Sequence, residues 1–370
     1  MSCSRTTEVQ WTDLGDSMIV ISGASGFVGR RLAVQVANER PGVDLRCLVK
    51  AEDDEFGRSG IAMLEARSLS PIAAELRTGS GLEGLHEPEV VLHLAANTHT
   101  WERDQSCNDT GTRHLFRAVE PLSPAQHFIF VSTEAVMDNR VTLDEPLRVD
   151  SSANGENGAD GDPDSSGSSR EASPSFGPPL SRYGLTKLRA EEFLRARCHE
   201  QHFRLSIVRL CTVYGSQPRP NSFFDVLKRE VARRSVVSRL NWPGLTSFIH
   251  VDDVVSCLLK TAKNPPDPGR PRVCLLAAES QTLQQVSEML YCAQRIPYRA
   301  IRLPSAAWRL LKSSHAVCRM THGFVPVGWY NQLWRFNLVV NSVFNCDTRD
   351  LRELFPELTP RKMAECIGEI

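Results

Sequence analysis

The sequence predicts an α/β fold: a doubly wound parallel sheet followed by a smaller second domain. Three observations carry that prediction. Apolar runs of strand length alternate with amphipathic stretches of helical period from residue 18 to residue 215. The first run, MIVIS at 18–22, ends on a glycine-rich turn that opens a helix. A chain of 370 residues that is 41% hydrophobic can bury a sizeable core, and apolar strands alternating with helices pack as a parallel sheet covered on both faces.

In order, MIVIS is the first strand, and FVGRRLAVQVANER (27–40) carries apolar residues at helical spacing until Pro41-Gly42 stops it. DLRCLVK (44–50), GIAMLEA (60–66), EVVLHLAA (89–96) and HFIFVS (127–132) are expected as strands, with TGTRHLFRAVE (110–120) a helix between the last two. LRAEEFLRARCHE (188–200) is a charged amphipathic helix, and RLSIVRLCTVYG (204–215) a strand running into a loop. Beyond it FFDVLKREVARR (223–234) is helical, and TSFIHV (246–251) is a strand leading into DDVVSCLLKTA (252–262). In QTLQQVSEMLYCA (281–293), Thr282 and Gln285 have capping-box spacing. The chain thus divides into a lead (1–17), a sheet domain (18–215) and a smaller, partly interleaved domain (216–370). The Ser/Gly/Asp-rich run at 149–177 has almost no apolar side chains to offset the entropy of ordering, which predicts a disordered insertion.

Lys and Arg number 43 against 44 Asp and Glu, so the whole-chain charge gives no reason to expect nucleic acid or an anionic membrane as partner. A small-molecule site is expected instead. The 11 cysteines are scattered singly, without CxxC pairs or His/Cys clusters at ligand spacing; no metal is expected, and reduced thiols fit a cytosol. No run is apolar for the length of a membrane span, and the first residues lack a signal-like apolar stretch, so the expected location is cytoplasmic.

Gly23, Gly26 and Gly29, spaced GxxGxxG with Ser25, Phe27 and Val28 among them, lie where strand turns into helix. In that context Gly23 permits the turn, Gly26 lets a pyrophosphate approach the backbone, and Gly29 lets helix pack on strand, while the helix N-terminus supplies N–H groups. Lys50, at the end of the second strand, suits a ribose 2′-phosphate, and Arg30 and Arg31 add positive charge. Glu52 or Asp53 would reach a 2′-hydroxyl if the strand ended later. The cofactor expected is NADP or NAD, with a slight preference for NADP.

In YGLTK, Tyr183 and Lys187 stand at i and i+4, so an ammonium on the same helical face can stabilise a tyrosinate and reach a ribose. Unassisted, a tyrosine near pKa 10 is a poor base at neutral pH. FIFVST delivers Ser132 and Thr133, hydroxyls at a strand end. His93, alternating with apolar residues, is expected as a packed core histidine, and Asp252, Asp253 and Asp347 as helix caps. The Leu/Trp/Phe-rich segment from Trp308 to Phe344 is expected to be packing.

Together GASGFVG, VLHLAAN, CNDTGTRHLF, FIFVSTEAV, YGLTK, VRLCTVYG and FIHVDDVV resemble, over nearly the whole chain, the extended short-chain dehydrogenase/reductases, the NAD-dependent epimerase/dehydratase group. The resemblance implies a Rossmann-type sheet with a C-terminal substrate-binding domain. It also implies Tyr183 as acid/base, Lys187 as its pKa-lowering and ribose-binding partner, and Thr133 as the hydroxyl orienting the reacting oxygen. Ala95, Ala96 and Asn97 match the turn under the cofactor, Leu210 to Val213 the loop at the nicotinamide, and Asn108 a helix asparagine that supports the site. Substrate contacts are expected from Thr98, His99, Glu134 and Asn221.

Family members that dehydrate sugar nucleotides have an acid two places after this threonine; here Ala135 stands there, so dehydration is set aside. The implied function is an NAD(P)-dependent oxidoreductase or epimerase acting on a hydroxyl or keto group of a nucleotide-linked sugar, with keto reduction slightly favoured and a homodimer possible. A sterol-type or flavonol-type ketone reductase and a non-catalytic dinucleotide-binding scaffold are the alternatives. Two departures stand out: Met137-Asp138 replaces a usual Tyr-Gly, and the third strand lacks a Gly-Asp end, with Glu65 the candidate stand-in.

Overall fold

From β1 (Met18–Ser22) the chain runs through α1 (Gly29–Glu39), β2 (Asp44–Val49), α2 (Glu55–Glu65), β3 (Pro71–Ala73), β4 (Val90–His93) and α3 (Ser106–Val119) to β5 (His127–Thr133). Then come α4 (Arg182–Gln201), β6 (Arg204–Leu210), β7 (Thr212–Tyr214), α5 (Phe223–Ala232), β8 (Leu245–His250), α6 (Val251–Lys263), β9 (Arg272–Leu276) and β10 (Glu279–Thr282). Helices α7 (Leu283–Ala293), α8 (Ser305–Leu311), α9 (Ser314–Thr321), α10 (Val327–Val340), α11 (Arg349–Leu354) and α12 (Met363–Cys366) complete it. This computed structural model describes residues 17–50, 54–98, 104–140, 143–149 and 178–370. Nearly all of the lead and of the Ser/Gly/Asp-rich run lie outside the described residues.

The expected doubly wound sheet is present. Seven strands pair in parallel in the order β3-β2-β1-β4-β5-β6-β9. Ile19 faces Val90 across the pair and Ile21 faces Leu92. Both strands are buried along nearly their whole length, which is why they are continuously apolar rather than alternating. Leu32 and Val36 of α1, Leu64 of α2 and Leu258 of α6 pack with Ile19 and Ile129 on one face. Leu115 and Phe116 of α3 and Leu194 of α4 pack with Val91 and Phe128 on the other. The strand order reverses at β1/β4, where α/β sheets open a crevice beyond the strand ends.

The segment 60–66 is not a strand. It lies in and just beyond α2, whose N-cap Asp54 accepts from the Gly57 N–H at 2.6 Å, and the third strand is Pro71–Ala73 instead. Gly57, Gly60 and Leu64 are the buried side of α2, a helical period that the apolar content of the run obscures. A Cβ on Gly60 would come within 2.1 Å of the Ser25 carbonyl oxygen, so this glycine lets α2 sit directly on the turn after β1.

Past Gly215 the chain does two things. Strands β10, β8 and β7 form a second sheet, with a core that joins Phe224, Phe248, Leu290 and Trp308. Meanwhile β9 pairs with β6 and α6 packs on α1, returning to the first sheet. The capping box is formed: the Gln285 N–H donates to Thr282 Oγ1 at 3.2 Å, and the Thr282 N–H to Gln285 Oε1 at 2.8 Å. No described helix is long and apolar enough to cross a membrane.

Candidate active site in the cleft beyond the strand ends

After Ser22 the chain turns at Gly23, with φ +74°, a left-handed conformation that favours glycine. Backbone closes in on both sides: a Cβ on Gly23 would lie 2.8 Å from Ala95 N, and one on Gly29 2.1 Å from the Gly23 carbonyl oxygen. No side chain caps α1, so the N–H groups of its first turn are not taken by one. Ser25, Gly26, Phe27, Val28 and Gly29 line a cleft, with Ala95 and Ala96 beside Gly23 and Lys50 at the end of β2. A narrow glycine cradle at a helix N-terminus fits a pyrophosphate.

Several neighbours are placed differently from expectation. Arg30 donates to the Gln217 carbonyl at 3.1 Å and Arg31 to the Ser216 carbonyl at 2.6 Å, so both tie α1 to the loop after β7 rather than lining the cleft. Asn97 does not line it either. Its N–H donates to Asn108 Oδ1 at 2.7 Å, and Asn108 Nδ2 donates to the Asn97 carbonyl at 3.0 Å and to Thr186 Oγ1 at 3.2 Å. Buried Asn108 thereby joins the loop after β4 to α4, a supporting role. Glu65 lies in α2, and the acid that lines the cleft after β3 is Glu75. Glu52, Asp53 and His99 lie outside the described residues.

Thr133 ends β5 and Tyr183 lies in the first turn of α4, which Ser181 caps by accepting from the Gly184 N–H at 3.1 Å. Gly184 lets α4 approach Ala135, just beyond β5: a Cβ there would be 2.2 Å from its carbonyl oxygen. Tyr183 and Thr133 both line the cleft. Burial pushes the Tyr183 phenol up to about 12, against the lowering effect of the nearby Thr133 hydroxyl. Lys187 is turned elsewhere. Its ammonium donates to the Val131 carbonyl at 2.7 Å and sits 3.9 Å from the Phe130 ring centroid. Burial lowers it to about 7, with Glu191 opposing. Ser132 donates to Glu191 Oε1 at 2.6 Å, and Arg209 grips both oxygens of Glu191 at 3.0 and 2.7 Å, which makes Ser132 part of a buried network.

Leu210, Val213, Thr98, Glu134 and Asn221 also line the cleft. Thr98 Oγ1 accepts from Arg219 at 3.2 Å and Asn221 Oδ1 from Arg229 at 2.8 Å. Glu134 is buried, the Cys346 thiol donates to its Oε2 at 3.0 Å, and burial holds its carboxyl well above the usual range. Arg219, Trp334, Arg335 and Phe344 line the same end without any motif to mark them. Asp138, the unusual residue after Met137, is fully buried and accepts from Leu180 N at 2.5 Å, Ser181 N at 3.0 Å and Trp334 Nε1 at 3.2 Å. It pins the start of α4 to α10, although burial raises it to about 6.

The remaining expectations resolve simply. His93 is a core histidine between Ser22 Oγ at 2.5 Å and Thr112 Oγ1 at 2.9 Å. The cap of α6 is His250, accepting from the Asp252 N–H at 3.2 Å, whereas buried Asp253 accepts from Arg361 N at 2.8 Å. Asp347 accepts from the Arg349 N–H at 3.0 Å at the start of α11. Among the described residues no group of three or more His, Cys, Asp or Glu side chains is arranged to hold a metal. The cleft measures about 1050 Å³, at or above the top of the roughly 300–1,000 Å³ that single-ligand pockets occupy.

A doubly wound sheet with a glycine cradle at its switch point defines a dinucleotide-binding protein. The family model described as NAD dependent epimerase/dehydratase matches residues 19–277, and the chain belongs to that family of NAD-dependent enzymes, as its motifs imply. dTDP-L-rhamnose 4-epimerase of Burkholderia thailandensis is 24% identical over 342 residues, covering 85% of this chain and 90% of that protein. UDP-glucuronate 4-epimerase 3 of Arabidopsis thaliana is 23% identical over 270 residues, 68% of this chain; the match spans 56% of that relative's length. Among solved structures, UDP-glucuronic acid 4-epimerase from Bacillus cereus, in complex with UDP-glucuronic acid and NAD, shares the fold at TM-score 0.65 and 17% identity, over 95% of this chain and 97% of that one. UDP-glucose 4-epimerase from Thermotoga maritima, with UDP-glucose, shares it at TM-score 0.64 and 18% identity, over 95% and 96%.

Proposed function

We propose that this protein is an epimerase of nucleotide-linked sugars, inverting one carbinol carbon by oxidation and re-reduction from the opposite face. The observation that carries the reading is the presence of Tyr183 and Thr133 together in one cleft with the glycine turn, a cleft at or above the usual size of a single-ligand pocket. The similarity to proteins named as 4-epimerases supports it. A bound nicotinamide would supply the hydride acceptor and donor. Ionised to the phenolate, the Tyr183 oxygen takes the proton of the reacting hydroxyl and returns it to the ketone oxygen, while Thr133 Oγ1 holds that oxygen in place. The glycine turn, Ala95, Ala96 and Lys50 hold the dinucleotide, Leu210 and Val213 flank its reactive ring, and Arg219 and Arg335 take the sugar nucleotide's phosphates. Thr98, Asn221 and Glu134 hydrogen-bond sugar hydroxyls. Lys187 takes part once its ammonium leaves the Val131 carbonyl.

The test is product analysis by NMR with a panel of UDP- and dTDP-sugars. Tyr183→Phe is expected to lower kcat at least a hundredfold, on the order of what a positioned acid/base contributes, and to leave cofactor affinity unchanged; full turnover by the variant would overturn the mechanism. Cofactor binding without turnover of any panel member would favour a non-catalytic scaffold.

A second reading, net reduction of a keto-sugar with exchanging NADP, is favoured by exposed Lys50 at the end of β2. Mass spectrometry of the purified protein separates the two: retained NAD supports epimerisation. If NADP is the natural cofactor, Lys50→Ala is expected to weaken NADP roughly ten- to a hundredfold and NAD little, since a charge-assisted bond of about 1.5–3 kcal/mol is lost.

A further inference from the structure

We propose that Arg31 is a positioning residue that ties the loop after β7, residues 215–222, to a bound dinucleotide, so that filling the glycine cradle fixes one wall of the cleft. This coupling goes beyond the epimerase reading and does not rest on it. It needs only a dinucleotide on the glycine turn.

The loop, GSQPRPNS, does not hold its own shape. Gln217 and Asn221 both have left-handed backbone, at φ +56° and +59°, a conformation that non-glycine residues keep where their surroundings impose it. The far half of the loop is held by α5 and by the segment after β4: the Asn221 N–H donates to Asp225 Oδ2 at 2.6 Å, and Arg219 Nη1 to Thr98 Oγ1 at 3.2 Å. The near half is held by α1. Arg31 Nη2 donates to the Ser216 carbonyl at 2.6 Å and to Ser216 Oγ at 3.1 Å, and Arg30 Nη2 to the Gln217 carbonyl at 3.1 Å.

Arg31 has a second hold, on the cradle itself. Its Nη1 donates to the Phe27 carbonyl at 2.9 Å, and its guanidinium carbon lies 4.8 Å from the centroid of the Phe27 ring. Phe27 belongs to the glycine turn and lines the cleft, as do Arg219, Pro220 and Asn221 of the loop. One planar fork thus spans turn and loop, a geometry that the point charge of a lysine does not reproduce. Arg30 backs it, buried with its guanidinium 4.6 Å from the ring centroid of Phe56, another cleft residue. The close acceptors of the two guanidinium groups include backbone carbonyls of turn and loop. Pulling the loop away while the turn stays would strip acceptors from these part-buried donors, which favours the two moving together.

A dinucleotide packed on the turn holds Phe27, Phe27 holds the fork of Arg31, and the fork holds Ser216. Pro218 and Pro220 stiffen the chain beyond it, so the restraint carries to Arg219. The dinucleotide therefore favours one placement of Arg219, and a ligand that Arg219 receives raises dinucleotide affinity by the same factor.

The test is hydrogen exchange of the full-length protein, read by mass spectrometry of its peptides, without dinucleotide and with saturating NAD or NADP. In the wild type the dinucleotide is expected to slow exchange in the turn, 23–31, and also in the loop, reported by the hydrogen-bonded amides of Asn221 and Ser222. The loop effect should be roughly tenfold, the factor that one charge-assisted bond carries. In Arg31→Ala the turn is expected to keep its protection, which shows the dinucleotide bound, and the loop to lose it. Arg31→Lys keeps the charge beside Asp252 without the fork and is expected to lose most of it. A merely structural role for Arg31 would change loop exchange by the same factor with and without dinucleotide, and that result would overturn the proposal. So would loop protection that persists in both variants, which would mean that the loop touches the dinucleotide directly, or a wild-type loop that the dinucleotide leaves unchanged. A turn that neither NAD nor NADP protects would overturn it together with the cradle's assignment. Should the alanine variant fail to fold, the lysine variant decides by the same comparison.

Discussion

At the glycine end of the cleft, between β1 and α1, the features that matter are backbone: a left-handed Gly23, a Gly29 pressed on the Gly23 carbonyl, and helix N–H groups without a side-chain cap. At the other end, between β5 and α10, they are buried polar side chains: Glu134 under the Cys346 thiol, and Asp138 holding Leu180, Ser181 and Trp334. Backbone recognition needs close approach and tolerates no added atoms. Side-chain recognition needs paired partners and tolerates shape changes that keep the pairs. The first end suits a group common to many enzymes, such as a pyrophosphate, and the second can be altered residue by residue.

The sharpest way to test the backbone half of that contrast is to place the same methyl group at the glycine turn and at an open helix start. Gly29→Ala would put a Cβ 2.1 Å from the Gly23 carbonyl oxygen, and neither backbone can yield without moving α1 off β1. A loss of about 3–5 kcal/mol is expected, with cofactor binding abolished, measured by urea midpoint and calorimetric titration. Gly328→Ala, in the first turn of α10 where nothing lies within 4 Å, is expected to change stability by less than about 1 kcal/mol and in the stabilising direction. A similar cost at both sites would mean that packing at the turn is not the governing constraint.

Next in size is Asp138→Asn. One carbonyl oxygen replaces two carboxylate oxygens, and an added NH2 faces N–H donors at 2.5–3.2 Å. Leaving a buried donor unpaired predicts a loss of about 2–3 kcal/mol. Because Asp138 and its partners lie away from the glycine cradle, the affinity for the dinucleotide is expected to stay within about twofold, while KM for the substrate under the proposed function rises as Trp334 loses its anchor. A weakened NAD affinity would show the two ends to be coupled.

The same contrast explains what the sequence shows and what it conceals. Gly23, Gly26 and Gly29 are legible because a turn after a strand imposes a fixed spacing, and the Tyr183–Thr133 site because strand end and helix start each leave a local signature. The fold of 60–66 was not legible by apolar content: Gly57, Gly60 and Leu64 reveal α2 only once their shared buried side is known. Asp138 and Glu134 find their partners at separations of 196 and 212 residues, and no local spacing encodes such pairs. Nor does the YxxxK spacing report where an ammonium points; Lys187 instead found a carbonyl and a ring face on β5.

The smallest effect, and the one with a pH signature, belongs to Glu134→Gln. Burial keeps this carboxyl protonated in the folded protein well above its usual range, so at pH 5 a nearly isosteric amide should change stability by no more than about 1 kcal/mol, its carbonyl still accepting from Cys346. The unfolded chain releases the proton near pH 4.3. Above that value the folded wild type binds a proton that the unfolded chain does not, and its stability falls as pH rises until the folded pKa is passed, at a slope of at most about 1.4 kcal/mol per pH unit. The glutamine variant lacks this slope. Above pH 5 it should therefore gain stability relative to the wild type as pH rises, read as a shift in relative urea midpoints. A parallel pH dependence for the two proteins would mean that Glu134 ionises normally, and the substrate end of the cleft would then carry a negative charge rather than a neutral hydrogen-bond donor.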